Sequence, residues 1–270
     1  MTTRYAEVIG DPVAHSKSPL IHNFWLGKLG IDAEYRACRV TAENLGDYFA
    51  KRHEDANWCG CNITIPHKIA ALDHVSDPGC VRDSIGAINT VARGPEGVLF
   101  GTNTDAAGFL GPILDVPLAG APVVLVGSGG AANAILFALA QVDAGPVTVL
   151  ARNALKAAGL LARFGLKGDV KPLDAALPSA ALLVNASPLG MKGQPPLDLD
   201  LAPLPEDAIV YDIVYAPLET GLLHAARARG LETVDGLEML VGQAALAFEL
   251  FFDVPPPEGY DDELRAMLVP

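Results

Sequence analysis

Val124-Leu125-Val126-Gly127-Ser128-Gly129-Gly130-Ala131-Ala132 is the stretch on which the reading of the fold turns. A short apolar run meets a glycine-rich turn, and small helix-forming residues follow at once. Each part has a physical task in a strand–turn–helix unit that binds a dinucleotide. Gly127 permits the tight turn, Gly129 lets the backbone approach a pyrophosphate, and Ala132 lets helix and strand pack closely. The free N–H groups at the helix start, and the positive end of its dipole, then attract the phosphates.

Working outward from the turn, the next strand is expected over Val147 to Leu150 and runs into Ala151-Arg152-Asn153. An NAD-binding unit carries an acidic residue near this point, ~20 residues after the turn, to hold the ribose 2′-hydroxyl. No acid stands here. Arg152 is suited to stack on adenine or pair with a 2′-phosphate, and Lys156, one helical turn further, adds a second positive charge. The missing acid makes NADP the expected cofactor.

Composition bounds the rest. A chain of 270 residues fits two domains at ~150 residues each. Half of the residues are hydrophobic, which supplies a sizeable core, and 19 basic against 32 acidic residues leave a net charge of -13. That balance argues against a general nucleic-acid surface. No run of ~18 apolar residues is present to span a membrane. The start, Met1 to Ile9, lacks the basic region and apolar run of a secretory signal. Cys38, Cys59, Cys61 and Cys80 are too few for a disulfide framework, and no spacing points to a metal site. They are expected to be buried or partly buried free thiols, and the chain to be cytoplasmic.

Short apolar runs alternate with helix-like segments, the pattern of a mainly parallel α/β sheet. Strands are expected over Tyr5 to Ile9, Cys61 to Ile65, Pro122 to Val126, Leu182 to Asn185 and Ile209 to Ile213. Helices are expected over Pro19 to Leu29 (N-cap Ser18, stop Gly30), around Lys68 to Leu72, and over Ala131 to Ala140 and Leu237 to Phe252. A hairpin-like passage runs from Ile88 to Gly101 through Gly94-Pro95-Glu96-Gly97. The proline-rich stretch Ser187 to Pro205 reads as either a mobile loop over a site or a surface excursion.

Polar residues stand where a fold alone does not ask for them. Ser16 and Ser18, two residues apart before a helix, can both hydrogen-bond a carboxylate. Asn62 and Thr64 fall on one side of a strand with Lys68 just beyond it. Asn89-Thr90 and Asn103-Thr104-Asp105 add further clusters at element ends. Such a rim suits a small, polyhydroxylated, anionic ligand. His15, His22 and His67 read as packing or hydrogen-bonding residues.

These motifs, with Asn185-Ala186-Ser187-Pro188-Leu189-Gly190-Met191, Asp212 to Thr220 and Gly236 to Ala244, resemble the shikimate dehydrogenase family from about Gly10 to Phe252. The resemblance implies an N-terminal α/β substrate domain (1–102), a Rossmann NADP-binding domain (103–236) and a C-terminal helical segment (237–270) that returns to the first. It implies NADPH-dependent reduction of 3-dehydroshikimate to shikimate, on the route to chorismate and the aromatic amino acids. Lys68 and Asp105 correspond to the catalytic pair, and Ser16 and Ser18 to the holders of the substrate carboxylate. Asn62, Thr64, Asn89, Tyr215 and Gln243 correspond to the pocket lining. The cofactor set is Gly127, Ser128, Gly129, Gly130, Ala131, Arg152, Asn153, Lys156, Ser187, Met191, Val214 and Gly236. In place of the family's Asn-Arg-Thr stand Ala151, Arg152 and Asn153, which keep the arginine.

Lys68 is the expected proton donor, with Asp105 orienting it. Its ammonium would also steady the developing oxyanion, an effect of ~3 to 4 kcal/mol per donor. The expected partner is the small molecule alone, without nucleic acid or membrane, for a monomer or homodimer. Two rivals share the scaffold: a quinate/shikimate dehydrogenase using NAD or NADP, and a non-catalytic NADP-binding regulator, which would lack Lys68 or Asp105.

Overall fold

The computed structural model describes residues 3–269. They divide into two compact units, one running to Asp105 and resumed from Val241 onward, the other spanning Ala106–Leu240.

The first unit opens with β1 (Arg4–Gly10), α1 (Ser18–Leu29), β2 (Ala33–Arg39), α2 (Leu45–Glu54) and β3 (Trp58–Ile63). It continues with α3 (Val81–Ser84), β4 (Thr90–Arg93) and β5 (Leu99–Thr102), and α4 (Asp105–Leu110) begins at its edge. Its sheet has the order β2-β1-β3-β4-β5. β1, β2 and β3 pair in parallel, whereas β4 pairs antiparallel with both β3 and β5, through the expected hairpin.

The second unit contains β6 (Val123–Val126), α5 (Gly130–Gln141), β7 (Val147–Leu150), α6 (Ala154–Arg163) and β8 (Gly168–Lys171). Then come β9 (Leu182–Asn185), β10 (Ile209–Asp212), α7 (Gly221–Ala228) and β11 (Glu232–Val234). Helix α8 (Gly236–Phe252) starts here and ends among the residues of the first unit, where α9 (Asp261–Leu268) follows. All pairs in this sheet are parallel, in the order β11-β10-β9-β6-β7-β8. Counted from β6, that is the doubly wound order, and its direction reverses between β6 and β9, where such sheets open a crevice. β6, β9 and β10 are buried along their whole length because helices cover both faces of a parallel sheet.

Several local expectations need correction. Lys17, not Ser18, is the N-cap of α1, and Ser18 is the first helical residue. Pro19 tolerates that place because an N–H there has no intrahelical partner. β3 ends at Ile63 rather than Ile65, and the helix expected around Lys68 to Leu72 is a short 3-10 helix over Ala70–His74. Cys80 is exposed, unlike Cys38, Cys59 and Cys61. The stretch from Ser187 to Pro205 is no loose lid: Leu197, Leu201 and Leu204 are buried in a core with Val124, Leu183 and Val210.

Candidate active site and dinucleotide edge

The ends of β3, β4 and α4 gather the polar residues of the first unit. The parallel ladder continues one residue past β3, where Thr64 N–H donates to Ile9 O at 2.9 Å. Ile88 N–H then donates to Lys68 O at 2.8 Å and Asn89 N–H to Thr102 O at 3.1 Å, which brings three chain segments side by side. Lys68 Nζ lies 2.5 Å from Asp105 Oδ2. This is no surface ion pair, since the two side chains are only 18 % and 8 % exposed. Asn89 Nδ2 donates to the other carboxylate oxygen, Asp105 Oδ1, at 2.8 Å, and reaches Thr104 Oγ1 at 2.9 Å and Gln243 Oε1 at 3.4 Å. Lys68, Asn89, Asp105 and Gln243 therefore form one connected group.

The serine pair lies at the start of α1. Ser16 Oγ is 3.2 Å from Ser18 Oγ and accepts from Ser18 N–H at the same distance. Nearby, Tyr35 on β2 donates its hydroxyl to Asn62 Oδ1 at 2.7 Å. Burial drives the Tyr35 phenol well above its ordinary pKa, so it stays a donor. His22, one turn after Ser18, stacks on Tyr35 with ring centroids 3.9 Å apart and planes 5° from parallel. It is fully buried, neither ring nitrogen meets a hydrogen-bonding partner, and burial pushes its pKa down to about 3. Neutral packing is its role, whereas His67 is a hydrogen-bonding residue, with Nε2 2.6 Å from Val40 O. Tyr215 stands in the second unit just past β10, and burial raises its phenol pKa.

The candidate dinucleotide edge is the C-terminal edge of the second sheet. Gly127 follows β6 with φ +108°, and a Cβ there would stand 3.0 Å from Ala186 O. Both facts demand glycine. Around the position of a Cβ on Gly129 no atom lies within 4 Å, so this backbone faces open space. Gly129 caps α5 without any side-chain bond, which leaves the first N–H groups of Gly130, Ala131 and their neighbours for an anion. Ala132 is fully buried, as close helix–strand packing requires. Beyond β7, Arg152, Asn153 and Lys156 are exposed. Asn153 Oδ1 accepts Lys156 N–H at 2.9 Å and so caps α6. Ser187, half-exposed Met191, Val214 and Gly236 lie past the ends of β9 and β10 or at the start of α8.

Two sets of bonds escaped the sequence reading. One is that of Tyr35, Thr90 and Thr104, which bond Asn62 and Asn89 from within the core. The other is a strand-end lock in the second unit. Buried Asp212 takes Asn185 Nδ2 at 2.9 Å, Val214 N–H at 3.0 Å and the Thr220 hydroxyl at 2.7 Å. Burial raises its pKa while those bonds oppose the rise. All but Tyr35 stand inside the quoted motifs, which was a signal; their partners were not visible. Among the described residues no group of three or more His, Cys, Asp or Glu could hold a metal. Nor is any helix long and apolar enough to cross a membrane.

Comparison with known proteins adds an independent line. A model described as the shikimate dehydrogenase substrate binding domain matches residues 8–91, and one described as the shikimate 5′-dehydrogenase C-terminal domain matches residues 236–261. The chain is 66% identical over 265 residues to the shikimate dehydrogenase (NADP(+)) of Sphingopyxis alaskensis, covering 98% of this chain and 97% of that one. The shikimate 5-dehydrogenase of Thermus thermophilus, solved with NADP(H) and shikimate, is similar at TM-score 0.85 and 37% identity, over 98% and 100% of the chains. A 5-ketofructose reductase of Gluconobacter is similar at TM-score 0.88 and 31% identity, over 99% and 98%.

Proposed function

The chain belongs to the shikimate dehydrogenase family, and we propose that the residues assembled above carry its reaction, the reversible NADPH-dependent reduction of 3-dehydroshikimate to shikimate. The observation that carries this reading is the buried Lys68–Asp105 pair with Asn89 on the second carboxylate oxygen.

The second unit fits NADP. The space over Gly129, the uncapped start of α5 and the absence of an acid after β7 suit a pyrophosphate and a 2′-phosphate. Gly127, Ser128, Gly129, Gly130 and Ala131 would hold the pyrophosphate through the backbone. Arg152, Lys156 and the free amide hydrogens of Asn153 would meet the adenosine end. Ser187, Met191, Val214 and Gly236 would bound the nicotinamide side. When bound, the reduced nicotinamide supplies the hydride for the carbonyl carbon.

The residues of the first unit do the rest. Ser16 and Ser18 give two hydroxyls to the substrate carboxylate. Asn62, Thr64, Asn89 and Gln243 take the hydroxyls and the ring. Lys68 Nζ passes a proton to the carbonyl oxygen as negative charge grows there, and takes it back in the oxidising direction. Asp105 accepts from Lys68 and from Asn89, so the ammonium is aimed before substrate arrives. Pre-aimed groups need little rearrangement during reaction, which is where much of the rate arises. We place the enzyme in the cytoplasm, as a monomer or homodimer.

A fold shared with a ketose reductase does not choose the substrate. Initial rates of NADPH formation from shikimate, run beside quinate and with NAD+ in place of NADP+, test the reading. The expected result is fastest turnover with shikimate and NADP+. Turnover of quinate but not shikimate would overturn it.

A further inference from the structure

Thr90 opens β4, has no exposed surface, and has no task in the reaction as described so far. Its hydroxyl lies between two amides whose orientation is decided by backbone groups. Asn89 Oδ1 takes the Thr104 N–H at 2.7 Å. A backbone N–H only donates, so the Nδ2 end of Asn89 must face Asp105. Asn62 Nδ2 points at the Asn89 carbonyl oxygen at 3.4 Å, a group that only accepts, and its Oδ1 takes the Tyr35 hydroxyl. Asn62 Nδ2 therefore also donates to Thr90 Oγ1, at 3.0 Å. The single Thr90 proton points at Asn89 Oδ1, 3.1 Å away, the nearer acceptor; the Thr104 hydroxyl oxygen is 3.4 Å away and already takes Asn89 Nδ2.

The bonds run in one direction: Tyr35 to Asn62, Asn62 to Thr90, Thr90 to Asn89, and Asn89 to Asp105. Each bond in such a chain polarises the next, and the chain ends on a carboxylate that attracts its last hydrogen. We propose that Thr90 is a positioning residue for the dehydrogenase reaction. Its hydroxyl is the second donor on Asn89 Oδ1 and holds the amide, already oriented by the Thr104 N–H, firmly against Asp105; through Asp105 it steadies Lys68. The proposal rests on the catalytic reading of Lys68 and Asp105 given above. Without the hydroxyl, the Asn89 oxygen keeps only one donor, and a buried Asn62 hydrogen loses its acceptor.

The test compares initial rates of shikimate oxidation with NADP+ for the parent and Thr90 variants. Thr90→Val keeps the branched shape and removes the hydroxyl. It should lower kcat about tenfold, since an unmade buried bond at a reacting centre is felt on that scale. KM for NADP+ should move by less than about twofold, and Thr90→Ser should recover kcat to within about threefold of the parent. In an Asn89→Ala background, Thr90→Val should add almost nothing, because the two act in series. Thr90→Ala takes the place of Thr90→Val if the latter does not fold. A parent-like kcat in the hydroxyl-free variant, no recovery in Thr90→Ser, or full additivity with Asn89→Ala would each overturn the proposal. Inactivity of the parent itself on shikimate would defeat the functional reading, and the Thr90 assignment with it.

Discussion

In the first unit, Asn62, Asn89 and Asp105 are buried, and each is bonded to at least two protein groups. In the second, Arg152, Asn153 and Lys156 stand in solvent, and the contacts open to a ligand are backbone N–H groups over glycine. The contrast fits the task proposed for each. Proton delivery depends on placement to a fraction of an ångström, so its side chains are locked by their neighbours. Holding a polyanion depends on charge and N–H density, which tolerates mobile side chains.

The sharpest break of the first pattern is Lys68→Ala. We expect kcat to fall about a thousandfold, the combined scale of a lost proton donor and a lost oxyanion contact. NADP+ affinity, followed by fluorescence titration, should stay within about twofold, because nothing in the second unit changes. A variant that still turns over at a tenth of the parent rate would sink the assignment of Lys68.

Breaking the second pattern needs a backbone change. Gly127→Val places a branched side chain at φ +108° against Ala186 O. The strain, about 1 to 3 kcal/mol, should lower Tm and raise KM for NADP+ by about tenfold or more. Arg152→Ala is gentler: KM for NADP+ should rise about tenfold while kcat at saturation holds, the scale of one charge-assisted bond. KM for NAD+ should not move, and the NADP+ effect should shrink in high salt. Equal losses for both cofactors would remove Arg152 from the 2′-phosphate.

The mildest prediction concerns His22, whose pKa burial lowers from 6.5 to about 3. Between those values the unfolded chain binds a proton that the folded chain refuses. Stability therefore falls as pH drops from 6.5 toward 3, by at most ~1.4 kcal/mol per pH unit from this group. His22→Phe keeps a ring against Tyr35 and abolishes that uptake. Its urea midpoint should fall less than the parent's between pH 6.5 and 4; identical slopes would show that His22 does not set the acid limit.

Much of this was legible in the chain. β7 and β9 fall on the residues expected, since each is a short apolar run bounded by turn-formers. The Gly127 turn and the loss of an acid near Arg152 are local signals, readable without a partner. What could not be read depends on residues distant in sequence. Thr90 looks like an ordinary strand threonine until Asn62 and Asn89 are seen on either side of its hydroxyl. Asp212 is a strand-end acid until Asn185 and Thr220 close on it. Ser18 has the composition of a cap, yet Lys17 takes that place. The leucines after Ser187 carry no period, because they fill a core from an irregular backbone.

One packing detail bears on how the molecule is made. Gly60 on β3 has no room for a Cβ: it would stand 2.5 Å from the Phe251 ring. That ring also lies against His22 and Tyr35, with centroids about 6 Å away. Phe251 leaves the ribosome long after Gly60, with all of residues 106–240 in between. At ~5 to 20 residues per second, the nascent first unit waits on the order of ten seconds for the ring that completes its core. During that wait the continuous second unit has every segment it needs. The order of birth is thus reversed: the half that begins first is finished last.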